Sequence, residues 1–82
     1  MSQKLKQDPQ IGHNIRNMRK ANKLTQEQVV AKLQLLNIDI SRSAYAQMEC
    51  GTYNIRISEL AALKQIFHVD YNDFFEGITL DI

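Results

Sequence analysis

Apolar residues recur at helical spacing near the start of the chain, directly after two residues that favour the start of a helix. Ile11 and Ile15 lie on one face of a helix predicted over residues 9–21. Asp8 and Pro9 stand at its start, where the carboxylate accepts hydrogen bonds from free N–H groups and proline has no N–H to leave unpaired. The pattern therefore predicts a capped amphipathic first helix.

A second helix is predicted to begin after Thr25. Thr25 and Gln28 form the capping-box pattern, in which the hydroxyl accepts from the backbone N–H of Gln28 and the glutamine side chain bonds back to the cap. The helix ends near Asn37, because asparagine tolerates the left-handed backbone that follows many helices. Its predicted buried positions are Val29, Val30, Leu33 and Leu36.

Two further helices are predicted in the middle of the chain. Ser41 is a candidate N-cap for a third helix, which ends at Gly51 because glycine adopts positive φ without steric cost. A fourth helix is predicted over residues 57–67, with Ser58 or Asn54 near its start. Their apolar positions at helical spacing are Ala44, Tyr45, Met48, Ile57, Leu60, Leu63, Ile66 and Phe67. Each helix is therefore expected to bury one face.

The end of the chain carries one more helical signal and one strand-like pattern. Asp70 begins a short last helix, which carries Phe74 and Phe75 and ends at Gly77. Together with Phe67 of the fourth helix, these phenylalanines are predicted to be core or, where uncovered, a dimer patch. Residues 78–82 alternate with period two, which is typical of a strand. The predicted fold class is all-α, a compact five-helix bundle with a candidate short C-terminal strand.

Length and composition restrict the class of protein. The 82 residues suffice for one small domain, and 44% apolar and 23% charged residues are ordinary for globular proteins. No apolar run has the length of a membrane helix, and no apolar stretch follows the N-terminal lysines as in a signal peptide. We therefore expect a cytoplasmic protein with a flexible arm over residues 1–8, one domain over 9–76 and a tail over 77–82 that is a candidate dimer contact.

Charge is distributed unevenly along the chain. Residues 1–56 hold nine lysines and arginines against four acids, for a net charge of +5, whereas residues 57–82 carry a net charge of −4. This asymmetry suggests a basic face for a polyanion such as nucleic acid, although a short chain can show it by chance.

Two capped helices over residues 25–51 form the helix-turn-helix pattern, in which the second helix enters the major groove of DNA. The segments that carry the detail read TQEQVVAKL (25–33), ISRS (40–43) and MECG (48–51). They resemble the phage-repressor family, the Cro and lambda-repressor-like (Xre-type) helix-turn-helix proteins. The resemblance extends over residues 10–76, with five elements in that family's order, and implies a sequence-specific regulator that binds double-stranded DNA.

The sequence departs from that family's pattern around the turn. Val30 stands where alanine is usual, and Gln34 stands where a turn glycine is common. The connection from Leu33 to Ser41 is longer than usual, so the second helix is expected to gain a turn through Leu36. The placement of the recognition helix is therefore where we expect a difference from the family.

The resemblance also implies which side chains read bases. Arg42 is the strongest candidate, since its planar fork can grip O6 and N7 of a guanine, and Gln47 could pair with adenine in the same way. The alternative is that both are solvated residues on a short helix. The implied base-reading positions of the recognition helix, which spans about residues 41–50, are Ser41, Arg42, Ser43, Ala46 and Gln47.

Phosphate contacts and one structural ion pair are implied in the same way. Gln26 stands at the first turn of the second helix, where free N–H groups and the helix dipole favour an anion. Arg19 and Glu49 match a pair that ties the first helix to the end of the third, and the alternative is an unpaired surface couple. The implied phosphate contacts are Gln26, Tyr53, Asn54 and Arg56.

No pattern in the sequence indicates catalysis. There is no nucleophile with an adjacent base, no glycine-rich phosphate loop and no set of metal-spaced ligands, so we expect no enzyme activity, metal or cofactor. His13 and His68 belong to different helices, and the single cysteine excludes an intrachain disulfide. That cysteine, Cys50, is expected to be a small semi-buried residue.

Two functions remain from different classes. The first is a repressor of bacterial or phage type that binds two-fold-symmetric DNA as a homodimer, through the fifth helix and the tail. The alternative is a protein-interaction module, such as an antitoxin, that binds a partner protein through helices four and five and the acidic final quarter. Acids at positions 42 and 47 would favour the alternative, so Arg42 and Gln47 favour DNA.

Overall fold

The architecture is a bundle of helices with one small sheet. The computed structural model describes residues 4–5 and 8–78. In this part of the chain the helices are α1 (Pro9–Ala21), α2 (Gln26–Leu35), α3 (Arg42–Cys50), α4 (Ile57–Phe67) and α5 (Tyr71–Phe74), and the strands are β1 (Lys4–Leu5) and β2 (Ile55–Arg56). The predicted all-α class with five helices is confirmed. None of the helices in the described ranges is long and apolar enough to cross a membrane.

The first three helices begin where the sequence predicts, because each starts with a side chain that accepts from the first helical turn. Thr25 and Gln28 form the full capping box, with the Thr25 N–H donating to Gln28 Oε1 at 2.8 Å. The three caps are Asp8 accepting from Gln10 N–H at 2.8 Å, Thr25 from Gln28 N–H at 3.1 Å and Ser41 from Ala44 N–H at 3.0 Å.

Helix α4 spans the predicted residues 57–67, with Ser58 as its second residue. Its N-cap is Arg56, whose side chain makes no capping hydrogen bond. The third helical residue, Glu59, reaches back instead, and its Oε1 accepts from the Arg56 backbone N–H at 2.7 Å. Glu59 is only 2% exposed, so this carboxylate fixes the start of α4 from inside the fold.

Helices α1 to α4 are each followed, within two residues, by a residue in the left-handed backbone region. Two are the predicted terminators, Asn37 with φ 63° and Gly51 with φ 85°, and the others are Lys23 and His68 with φ 57° each. This conformation costs a non-glycine residue about 1–2 kcal/mol, which the hydrogen bonds of the helix end offset.

Gly51 is required for a second reason. A Cβ atom at this position would lie 2.9 Å from the Cα of Pro9, closer than a real side chain approaches backbone. The end of α3 therefore packs directly on the start of α1, and a glycine makes that approach possible.

The core lies between α1, α2, α3 and α4, with the last helix closing one end. Its largest fully buried side chains come from nearly every element: Ile15, Val29, Leu33, Tyr45, Met48, Ile55, Leu63 and Phe74. Two residues predicted as apolar positions are outside it, because Ile57 is 47% exposed and Phe75 is 43% exposed. Of the alternatives for the phenylalanine pair, Phe74 is core and Phe75 is surface.

A buried asparagine joins α1 to the end of the described chain. Asn14 Nδ2 donates to the carbonyls of Phe74 at 2.9 Å and Glu76 at 2.8 Å, and Asn14 Oδ1 accepts from Gln10 Nε2 at 2.9 Å. This contact was not predicted, because an asparagine within a helix carries no signal of a partner 60 residues away. The turn after α5 is held to the first helix by this amide.

The N-terminal segment contributes a strand that the sequence analysis did not predict. Lys4–Leu5 pair antiparallel with Ile55–Arg56, Lys4 opposite Arg56 and Leu5 opposite Ile55. Strand β1 belongs to residues 1–8, and the flexibility of that segment stays a prediction. The candidate strand over 78–82 lies outside the described residues apart from Ile78.

Candidate nucleic-acid interface

Helix α3 presents one polar face to solvent and one apolar face to the core. Tyr45 and Met48 are fully buried, each with 0% exposure. The predicted base-reading positions Ser41, Arg42, Ser43 and Gln47 are exposed, and Ala46 is partly exposed. The structure therefore places all five predicted readers on the accessible side of one short helix or at its cap.

The long connection before α3 is anchored to the fold. Asn37 N–H donates to the Gln34 carbonyl at 3.0 Å and Ile38 N–H donates to the Leu33 carbonyl at 2.9 Å, which closes the end of α2. Ile40, just before the N-cap of α3, is buried with 4% exposure. The residues of this connection thus hold the start of α3 against the core.

The structure brings Arg19 and Glu49 together as a buried, two-pronged ion pair. Arg19 Nε donates to Glu49 Oε2 at 2.7 Å, and its Nη2 donates to Oε1 at 3.1 Å. The side chains are 12% and 3% exposed, so the pair is largely removed from water. Arg19 Nη1 also donates to the Leu24 carbonyl at 2.9 Å, which ties α1, the loop before α2 and α3 into one unit.

Gln26 belongs to the same network. Its Nε2 donates to Glu49 Oε1 at 3.1 Å, so the residue predicted to contact a phosphate is held by the buried carboxylate. A primary amide has a second N–H on that nitrogen and a carbonyl oxygen of its own. Gln26 can therefore keep its bond to Glu49 while it offers a donor to an anion at the start of α2.

Burial and hydrogen bonding act in opposite directions on this network. Burial alone would raise the pKa of Glu49, but the interactions of its carboxylate with Arg19, Tyr45 and Gln26 outweigh burial and leave the pKa below its usual range. The hydrogen bond to Glu49 raises the pKa of Arg19. Burial raises the pKa of Tyr45, and the neighbouring Glu49 carboxylate raises it further. The carboxylate is thus held in its charged form.

Arg42 has an acidic neighbour that the sequence analysis missed. Its Nε lies 3.8 Å from Oε1 of Glu27, with the two side chains 63% and 75% exposed. Glu27 directly follows Gln26, a predicted phosphate contact, and this adjacency was the available signal. The proposed guanine reader therefore forms a loose surface ion pair with the first turn of α2.

The predicted phosphate contacts after α3 form a second group. Asn54 and Arg56 are exposed, whereas Tyr53 is half-buried. The Tyr53 hydroxyl donates to Glu59 Oε2 at 2.7 Å. Burial and this hydrogen bond raise the pKa of Tyr53 to about 12. The hydroxyl proton is therefore committed to Glu59, and Tyr53 must release Glu59 before it can donate to a phosphate.

Other candidate chemistry is sparse. Cys50 is exposed, so the expectation of a semi-buried residue is wrong. Within residues 8–78, no three or more His, Cys, Asp or Glu side chains are placed to hold a metal ion. The distinctive features of the described surface are the polar face of α3 and the first turn of α2.

Comparison with known proteins supports the fold. Residues 15–74 match a family model described as helix-turn-helix. Among solved structures, the restriction-modification controller protein C.AhdI from Aeromonas hydrophila is similar, with 21% sequence identity and a TM-score of 0.69 over 80% of this chain and 92% of that chain. No curated protein matches the sequence.

Proposed function

The chain belongs to the helix-turn-helix family, and from that premise we propose that it is a sequence-specific reader of double-stranded DNA that represses transcription. In this motif the second helix lies in the major groove and the first crosses the backbone. Those helices are α3 and α2 here. The observation that carries the proposal is the exposed polar face of α3, held in place by the buried Arg19–Glu49 pair.

Base reading is assigned to the start and the exposed face of α3. The fork of Arg42 suits O6 and N7 of guanine, and the amide of Gln47 suits N6 and N7 of adenine. Ser41 and Ser43 are adaptable donors and acceptors beside Arg42, and Ala46 offers a methyl group for contact with thymine. In the alternative, these side chains stay hydrated and make no base contacts, and the surface then has no base preference.

Phosphate contacts are assigned to both sides of α3. At the start of α2, Gln26 adds its amide to backbone N–H groups that the helix leaves unpaired. After α3, Asn54 and Arg56 are exposed for the neighbouring phosphates. Tyr53 joins them when its hydroxyl leaves Glu59. Such contacts fix the register of the protein on the duplex without reading its sequence.

A homodimer on a two-fold operator completes the proposal. Tyr71 and Phe75 are 47% and 43% exposed at the α5 end of the molecule, away from the helix-turn-helix in sequence. Exposed aromatic side chains of this size are typical of an interaction surface. We assign the dimer contact to α5 and the tail over 77–82, with half-sites about one helical turn apart.

The similar structure favours regulation over a pure protein-interaction role, since C.AhdI is a controller protein. The same exposed surface on α5 would serve a partner protein in the alternative function. The two differ in what the polar face of α3 does.

The deciding experiment is selection of duplexes from a random DNA pool by the purified chain at moderate salt, repeated with Arg42→Ala. Enrichment of a palindrome by the parent chain, with a base preference that Arg42→Ala loses, is the expected result. Weak, salt-sensitive retention of all sequences without enrichment would contradict sequence-specific reading and favour the protein-interaction alternative.

A further inference from the structure

One acidic side chain lies within the proposed DNA-reading surface. Glu27 is the second residue of α2 and its side chain is 75% exposed. Its Oε1 lies 3.8 Å from Nε of Arg42. A carboxylate in this place repels DNA phosphates, so it weakens binding to every duplex unless it improves the reading of one.

The partner of Glu27 is settled by what surrounds it. Arg19 and Arg42 line the same shallow depression as Glu27. The guanidinium of Arg19 is already held by Glu49 at 2.7 Å, with a side chain only 12% exposed. Arg42 is 63% exposed and faces Glu27. Glu27 therefore acts on the guanidinium that is proposed to meet the base.

Glu27 faces the Nε side of Arg42, which leaves the two Nη nitrogens available for a base. Arginine carries five N–H donors in a rigid planar fork, with Nε on the stem side and two Nη nitrogens at the tip. The two tip nitrogens can donate together to O6 and N7 of guanine. A carboxylate at Nε narrows the orientations of the fork and leaves the tip for the base, so less side-chain freedom is lost on binding.

We propose that Glu27 is a positioning residue for base recognition, holding Arg42 from the Nε side and disfavouring duplexes that offer no guanine to it. The inference rests on the proposed DNA-reading function. Glu27 increases the discrimination between duplexes and lowers the affinity of the chain for all of them. If Glu27 served only the fold, its substitution would change discrimination or affinity only together with the stability of the domain.

The test uses the full chain and a duplex that the chain selects from a random pool. Each base pair of the selected duplex is replaced in turn. The base pair read by Arg42 is the one whose replacement weakens binding by the parent chain but not by Arg42→Ala. Discrimination is the ratio of Kd for the duplex replaced at that pair to Kd for the selected duplex. Glu27→Ala and Glu27→Gln are compared with Glu76→Gln, which makes the same charge change at an exposed residue after α5.

We expect Glu27→Ala to tighten binding to an unrelated duplex about two- to fivefold and to lower discrimination about three- to tenfold. Glu27→Gln gives the same gain on the unrelated duplex but loses less discrimination, because its amide oxygen still presents a partial negative charge to Nε. Glu76→Gln changes neither, and in an Arg42→Ala background Glu27→Ala leaves discrimination unchanged. The melting temperature stays at the parent value throughout.

The possible failures are distinguishable. Absence of any enriched duplex overturns the proposed function and this inference with it. An enriched duplex without a base pair sensitive to Arg42→Ala removes Arg42 as the reader. An enriched duplex whose discrimination withstands Glu27→Ala overturns the positioning role of Glu27 alone.

Discussion

Two arginine–glutamate pairs join neighbouring helices of this domain, one inside it and one on its surface. Arg19 and Glu49 meet at 2.7 Å with side chains 12% and 3% exposed. Arg42 and Glu27 face each other at 3.8 Å with side chains 63% and 75% exposed. The same two residue types therefore meet in opposite environments.

The difference shows how one small domain separates rigidity from recognition. In the buried pair both charges have left water, so each depends on the other and on the Gln26 amide. The surface pair stays hydrated and adds about 0–1 kcal/mol at most, which leaves Arg42 able to turn toward DNA. The buried pair holds the helices in place, and in the proposed function the surface pair orients Arg42.

The largest effect is expected when the buried pair loses its acid. Glu49→Ala leaves the Arg19 guanidinium buried without its partner and should lower the free energy of unfolding by about 3 kcal/mol. Urea denaturation measures the loss. Glu27→Ala is the matched control and should stay within about 0.5 kcal/mol of the parent. Equal losses in the two variants would contradict the contrast between the pairs.

The opposite ranking is expected for DNA. Arg42→Ala should weaken binding to the selected duplex by about 1–3 kcal/mol and relax the preference at one base pair. Its free energy of unfolding should match the parent, since Arg42 is exposed. Binding curves on duplexes replaced one base pair at a time provide the measurement. An Arg42→Ala protein with full affinity and unchanged preference would remove Arg42 from the interface.

A smaller loss is expected when acid titrates the buried pair. The pKa of Glu49 is lower in the folded chain than its ordinary value of 4.5. The stability from this shift is therefore fully present above that value and is lost as pH falls through the folded pKa. Unfolding measured between neutral and acid pH should show a steeper acid loss for the parent than for Glu49→Gln. Parallel curves would show that Glu49 titrates normally.

The smallest effect concerns a phosphate contact. Arg56→Ala should weaken all duplexes alike and reduce the slope of log affinity against log salt by about one. Lys64→Ala is the control, since this substitution removes the same single positive charge from α4. The Lys64 ammonium lies over the Tyr71 ring, 5.4 Å from its centroid. A salt slope that does not move would exclude Arg56 from the backbone contacts.

Local rules explain how much of the fold was predictable. The caps at Asp8, Thr25 and Ser41 involve residues two or three positions apart, so sequence spacing reveals them. The cap of α4 escaped because arginine is an unusual N-cap. Glu59, three residues later, was the signal that could have shown it.

The left-handed helix ends divide in the same way. Gly51 is recognised by residue type, whereas Lys23 and His68 have types that give no indication of positive φ. At those positions the tertiary structure selects the backbone, and the hydrogen bonds of the helix end hold it there.

The site was predictable as a set of exposed positions and, through the family resemblance, as one ion pair between Arg19 and Glu49, but its other contacts were not predictable. Periodicity indicates that α3 turns Tyr45 inward and Arg42 outward. It does not indicate that Gln26 bonds Glu49 or that Glu27 faces Arg42, because these contacts depend on how two helices meet in space. Polar contacts between helices depend on how the helices pack, and the spacing of residues within one helix does not reveal that packing.

The Asn14 amide has a consequence for how the domain opens. Because its Nδ2 donates to carbonyls 60 and 62 residues away, fraying of the last turn would leave a buried donor unpaired, at a cost of about 1–3 kcal/mol. A four-residue helix such as α5 would ordinarily exchange its amide hydrogens by local opening. Tied to the first helix, α5 opens less readily, so its amides should exchange more slowly than those of an unattached turn of the same length.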